Sequence, residues 1–178
     1  MKRVVILASG GGTLAQAIFD ARSTTLADVD IVAVISDQKD AHVIARAEAA
    51  QIESFVVPMM ADRTQWDREL ETLLGALKPD LVVSAGFMRL LSAKTVERFK
   101  IINSHPSLLP LFPGAHAVRD ALQAGATQTG TTLPVSSWAY SPENGASCQI
   151  FVNTSGSAPD LAWQRGPAPH DLANVSRV

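Results

Sequence analysis

The sequence predicts an α/β fold, a mainly parallel sheet flanked by helices, with a C-terminal part of different character. Two observations carry this. Short continuous runs of β-branched residues, of the kind buried on both faces of a parallel sheet, recur through the first two-thirds of the chain. Between them lie stretches whose apolar residues repeat at helical spacing. Alternation of this sort implies parallel strands joined by right-handed crossovers, a Rossmann-like arrangement.

Taken in order, Arg3 to Ser9 (RVVILAS) reads as the first strand, and a glycine turn follows it. A helix comes next, with Leu14, Ala17, Ile18 and Ala21 at helical spacing. Val29 to Ser36 is the second strand, Ala41 to Ala50 the second helix, and Glu53 to Pro58 a short third strand. Thr64 is read as the cap of the clearest helix, whose one face carries Trp66, Leu70, Leu73, Leu74 and Leu77. Lys78-Pro79 ends it, because proline lacks an amide and restricts the residue before it. Asp80 to Gly86 is a fourth buried strand. A short helix from Ser92 to about Arg98 and a strand from about Lys100 to Asn103 complete the series.

Bulk properties narrow the function classes. A chain of 178 residues is long enough to bury a proper core. A net charge of −2 leaves no electrostatic footprint for nucleic acid. The longest apolar runs fall short of a membrane span, and the glycines after the first of them fit a strand-turn-helix better than a signal peptide. One cysteine, Cys148, excludes an internal disulfide framework and fits a reducing compartment. The expectation from these properties is a soluble, single-domain protein of the cytoplasm.

Ligands of such sheets bind beyond the carboxyl ends of the strands, which singles out three loops. In SGGGTLAQ, Ser9 to Gln16, glycines let backbone amides approach an anion at a helix N-terminus, and phosphate is the natural guest. The same glycines, with Asp37, also meet a loose dinucleotide fingerprint, and a turn used only for close packing is a third reading. In AGFMRLL, Ala85 to Leu91, Phe87 and Met88 stand beside Arg89, either as a lining for a flat aromatic ligand or as core residues beside a solvated arginine. In INSHPSLLPLFPGAH, Asn103 and His105 leave a strand two residues apart, so an extended backbone points both side chains one way. An amide and an imidazole aimed at one point suit a carbonyl oxygen that becomes an oxyanion, and the imidazole can carry a proton. A hydrogen-bonded loop histidine is the plainer alternative.

The blocks LASGGGTLAQAI, PDLVVSAGFMRLL, INSHPSLLPLFPGAHAVRDAL and GTT, in this order and spacing, resemble the phosphoribosylglycinamide formyltransferases of purine synthesis. The resemblance covers Met1 to about Thr132, and its NxHPSLLP block is specific to folate-dependent formyltransferases. It implies the formyltransferase fold, 10-formyltetrahydrofolate as co-substrate with no metal, small-molecule substrates (glycinamide ribonucleotide and reduced folate), and a monomer or homodimer. It implies that Gly11, Gly12, Thr13 and Leu14 hold the phosphate of glycinamide ribonucleotide. Relatives commonly have Asn in place of Leu14, so one side-chain contact is lost. Arg63, Met88, Arg89, Leu90 and Asn103 fall on the folate side by the same resemblance. Asn103 and His105 fall at the reacting formyl group as the catalytic pair. The Leu109-Pro110 bond is a candidate cis peptide.

The resemblance stops at Thr132, which divides the chain into a formyltransferase-like domain, 1–132, and a divergent or truncated tail, 133–178. Family members carry a catalytic aspartate in a block similar to VDxGxDTGP, whose position here falls near Ser141. No Asp lies there, and Glu143 stands in an unrelated context. The tail holds half of the chain's prolines and no lysine, and its poor periodicity predicts loose structure. A reading-frame shift and a natural divergent terminus both account for the abrupt change. Trp138, Tyr140, Ile150 and Phe151 are candidates to cover a sheet edge otherwise left open. Three functional readings follow: a formyl transfer enzyme, impaired or not by loss of the aspartate; an inactive binding remnant for folate or ribonucleotide; and a dinucleotide-binding oxidoreductase built on Gly10, Gly12 and Asp37.

Overall fold

The computed structural model describes residues 1–109, 111–114, 116–127, 129–134, 147–152 and 162–165. These fall in two compact units, Met1–Asn103 and Ser104–Val178. The first is the expected α/β layer structure. Its strands are β1 (Lys2–Leu7), β2 (Val29–Ser36), β3 (Ser54–Val56), β4 (Leu81–Ser84) and β5 (Ile101–Asn103), interleaved with α1 (Thr13–Asp20), α2 (His42–Ala49), α3 (Arg63–Leu77) and α4 (Ala93–Arg98). All five strands are parallel, in the order β3-β2-β1-β4-β5.

The alternation of side chains along β1 explains the two cores. Val4 and Ile6 join Ala15, Phe19, Val43 and Ala47 of α1 and α2 on one face. Val5 and Leu7 join Trp66, Leu70 and Leu74 of α3 on the other. A strand apolar on both sides is therefore what a two-faced sheet requires. Among the described residues no helix is long and apolar enough to cross a membrane.

Two local expectations need correction. The core face of α1 is Ala15 and Phe19, with Ile18 partly buried, whereas Leu14 and Ala17 are exposed. The cap of α3 is Asp62, not Thr64: its carboxylate accepts hydrogen bonds from the amides of Thr64 and Gln65, at 2.8 and 3.2 Å. The helix ends where Lys78 adopts a left-handed conformation (φ 49°), in line with the Lys-Pro stop.

A buried carboxylate joins α3 to α4. Glu71 accepts from Lys94 Nζ at 3.2 Å and from the Thr95 hydroxyl at 3.1 Å, with Ser92 Oγ at 3.4 Å. Burial alone raises its pKa, but Lys94, Thr95 and Ser92 outweigh burial and hold it below its ordinary value of 4.5. A depressed carboxylate pKa stabilises the fold above the unfolded value, and that contribution is lost as pH falls through the folded one. Urea unfolding between pH 7 and pH 3 is expected to show a shallower acid loss in Glu71→Gln than in the parent, from a lower starting stability at pH 7.

The second unit contains α5 (Ala117–Gln123) and a three-stranded antiparallel sheet of β6 (Thr129–Pro134), β7 (Ser147–Val152) and β8 (Ala162–Arg165), in that order. Helix α5 buries Ala117 and Ala121 and ends before Gly125, whose φ of 68° suits glycine. Two strands thus lie in the segment expected to be loose. Backbone pairing, of β7 with β6 and of β8 with β7, defines them rather than a side-chain period, so composition could not reveal them. Ile150 and Phe151 lie on β7. Trp138, Tyr140, Ser141, Glu143 and Pro110 lie outside the described residues.

Candidate active site

Strand order reverses around β1, whose neighbours are β2 and β4, so the loops leaving β1 and β4 emerge side by side. They are bonded to one another. The Ser9 amide donates to the Gly86 carbonyl at 3.1 Å, and the Met88 amide donates to the Ser9 hydroxyl oxygen at 2.8 Å. The glycine turn and the FMRL loop therefore hold a fixed relation through Ser9.

In the turn, Gly12 has φ 68° and lies hard against α2: a Cβ there would sit 2.6 Å from both Cβ and Cγ2 of Val43. Left-handed backbone and close approach both demand glycine. Helix α1 opens at Thr13 without a side-chain cap, so its first amides and its partial positive charge are left for an outside acceptor. Leu14 is 40% exposed at this opening. Gly12→Ala is expected to lower stability by about 2–4 kcal/mol, from left-handed strain and overpacking together. Denaturant midpoints would measure it.

In the loop after β4, Phe87 is core: it stacks on Trp66 with centroids 6.3 Å apart and planes 15° apart. Met88 and Leu90 point outward, 57% and 85% exposed. Arg63 lies over the Trp66 ring, 4.8 Å from its centroid, donates to Asp67 at 2.9 Å, and hydrogen-bonds the Leu90 carbonyl. Two residues expected on one ligand face, Arg63 and Leu90, are thus in contact although 27 positions apart.

Arg89 is not simply solvated. Its Nε donates to Asp37 Oδ2 at 2.6 Å, and the Asp37 side chain is fully buried. Burial raises the Asp37 pKa, but the Ser9 hydroxyl and the Arg89 guanidinium outweigh it, so the carboxyl titrates below its usual range. Asp37 Oδ2 is thereby engaged, while its buried Oδ1 has no hydrogen-bond partner among the described residues. Asn103 closes β5, level with Ser84 of β4, and is partly buried.

In the second unit a compact hydrogen-bond web fixes the proline loop. His105 and Thr132 exchange backbone hydrogen bonds, both 2.9 Å. The buried Thr132 hydroxyl donates to the Ser107 carbonyl at 2.7 Å and accepts from the Leu109 amide at 2.9 Å. The Ser107 hydroxyl bonds the carbonyls of Leu111 and Phe112, at 2.7 and 3.2 Å. Phe112, itself at φ 50°, also has its carbonyl 3.1 Å from His105 Nε2. A carbonyl can only accept, so Nε2 carries the hydrogen and Nδ1 keeps the lone pair. The imidazole is held in one tautomer, with Nδ1 as its basic atom.

A family model described as formyl transferase matches residues 2–136. That range contains the glycine turn, the FMRL loop, Asn103, His105 and Thr132. The chain belongs to the formyl transferase family. Among relatives, this family member is 40% identical over 134 residues to the phosphoribosylglycinamide formyltransferase of Escherichia coli, a match covering 73% of this chain and 63% of that one. It is 38% identical over 137 residues to the Haemophilus influenzae enzyme of the same name, covering 75% and 65%. The chain therefore spans somewhat less than two-thirds of these bacterial relatives. Among solved structures, glycinamide ribonucleotide transformylase 1 from Symbiobacterium toebii superposes with a TM-score of 0.74 at 34% identity, covering 88% of this chain and 76% of that one.

Sequence reading of this family member missed several residues. Ser9 was read as the end of a strand and the start of the glycine loop, with no role for its hydroxyl, and Arg46 of α2 carried no signal. The Asp37–Arg89 pair spans 52 positions, and nothing local announces it. Thr132 and Ser107 were legible as motif residues, but their hydroxyl bonds follow from the tertiary path of the loop.

Proposed function

We propose that the chain transfers the formyl group of 10-formyltetrahydrofolate to the amine of glycinamide ribonucleotide, in purine biosynthesis. The family match across every loop of the site is the observation that supports this most strongly. In this reading the amides of Gly11, Gly12, Thr13 and Leu14 take the substrate phosphate. Arg63, Met88, Arg89, Leu90 and Asn103 border the folate.

The chemistry runs in two steps. The substrate amine attacks the formyl carbon, forming a C–N bond and placing negative charge on the former carbonyl oxygen. The Asn103 amide donates to that oxygen, and His105 donates to it once its Nδ1 has taken the proton of the attacking amine, as donors do for a tetrahedral intermediate. The bond from carbon to the folate nitrogen then breaks. The proton lost by the attacking amine passes through His105 to the departing folate nitrogen. Formyl amide and tetrahydrofolate leave, with no redox change and no metal required. The single tautomer of His105, with its lone pair at Nδ1, supports the proton-carrying role.

Calorimetry on the full chain tests the binding half of this proposal. Binding of glycinamide ribonucleotide and of a reduced folate analogue, with no binding of a nicotinamide dinucleotide, is the expected result. Nicotinamide binding without folate binding would overturn it. The non-catalytic remnant is the second reading, because the carboxylate position near Ser141 is not matched in the sequence.

A further inference from the structure

The carbonyls of the glycine turn are tied to α2 by two separate bonds. The Val43 amide donates to the Gly10 carbonyl at 3.1 Å. The Arg46 guanidinium donates through Nε to the Gly11 carbonyl at 2.8 Å. The same guanidinium donates through Nη1 to Gln16 Oε1 at 3.3 Å, and Gln16 in turn donates to Asp20 at 2.8 Å. Arg46 is thus held at two points of its planar fork, one on the turn and one on α1.

A consequence follows from peptide planarity. In a trans peptide the N–H points opposite to the C=O of the same unit. The Gly10 carbonyl shares its unit with the Gly11 amide, and the Gly11 carbonyl shares its unit with the Gly12 amide. With both carbonyls drawn toward α2, the amides of Gly11 and Gly12 face away from it. These are two of the groups assigned to the phosphate. Arg46 also sets a permanent positive charge beside the turn, in addition to the helix-terminal partial charge.

We infer that Arg46 is a positioning residue for phosphate binding: its bond to the Gly11 carbonyl orients the Gly12 amide toward the anion. The inference rests on the substrate reading above. It accounts for how the turn serves a phosphate although Leu14 offers no polar side chain. Arg46 acts through the backbone, and the ligand bonds to the amides.

The test is calorimetric titration of the full chain with glycinamide ribonucleotide and, separately, with the corresponding ribonucleoside, which lacks the phosphate. Arg46→Met keeps the length of the side chain and removes the donors. It is expected to weaken ribonucleotide binding on the order of tenfold, as for loss of a charge-assisted hydrogen bond, and to leave ribonucleoside binding unchanged. Arg46→Lys, which keeps the charge and one donor, is expected to recover part of the loss. Equal weakening for both ligands would show a merely structural role and overturn the inference, as would an unchanged ribonucleotide affinity. A parent chain that binds no ribonucleotide would overturn the substrate reading as well, so the two failures are distinguishable.

Discussion

Replacing His105 with alanine is expected to lower kcat/KM for formyl transfer by about 10²–10⁴-fold, the range associated with loss of a positioned proton carrier. The variant should keep its fold, for reasons visible in the loop. Its two backbone bonds to Thr132 do not involve the ring. The Phe112 carbonyl, which loses the imidazole, is still bonded by the Ser107 hydroxyl at 3.2 Å. The glycine turn belongs to the other unit and is not altered by the change. Ribonucleotide affinity measured by calorimetry should therefore stay within a factor of about two. A fall in rate with unchanged binding locates the loss at the chemical step.

Trp66→Ala is expected to be the most destabilising single change in the α/β unit, at about 3–5 kcal/mol. Trp66 is fully buried in the core between α3 and the sheet. Its indole N–H donates to the Val57 carbonyl at 3.0 Å, so truncation leaves a cavity and an unpaired buried acceptor. It also removes the ring on which Phe87 stacks and over which Arg63 lies. Denaturant unfolding should show the midpoint shift, and Trp66→Phe, which loses the hydrogen bond but keeps most of the ring, should cost about 1–2 kcal/mol. Because Phe87 and Arg63 flank the Met88–Leu90 segment, the alanine variant should also weaken folate binding more than ribonucleotide binding. Equal effects on both ligands would argue against this support.

How far the sequence disclosed the molecule depends on how local each cause is. The strands of the parallel sheet were legible because burial on both faces leaves an unbroken apolar run, as in VVIL of β1. Helix α3 was legible because fifteen residues give its apolar stripe several repeats. Helix α1 has only eight, and a glycine turn sets its phase, so its core face was misread by one position. Gly12, Asn103 and His105 announced themselves by residue type and by their place at strand ends. Arg89 gave no hint that Asp37 holds it, nor Arg46 that it bonds a carbonyl 35 positions away. Those links depend on which strands the topology makes neighbours. The same limit applies to β7 and β8, which exist through pairing to partners and not through a period of their own.

Formyl transfer by the full chain is tested most directly by a steady-state assay with 10-formyltetrahydrofolate and glycinamide ribonucleotide. Tetrahydrofolate and formylated ribonucleotide are expected in equal amounts, at a rate at least about 10²-fold above that of His105→Ala. A rate indistinguishable from that variant's, with both ligands bound, would contradict the claim and leave the chain a binding protein.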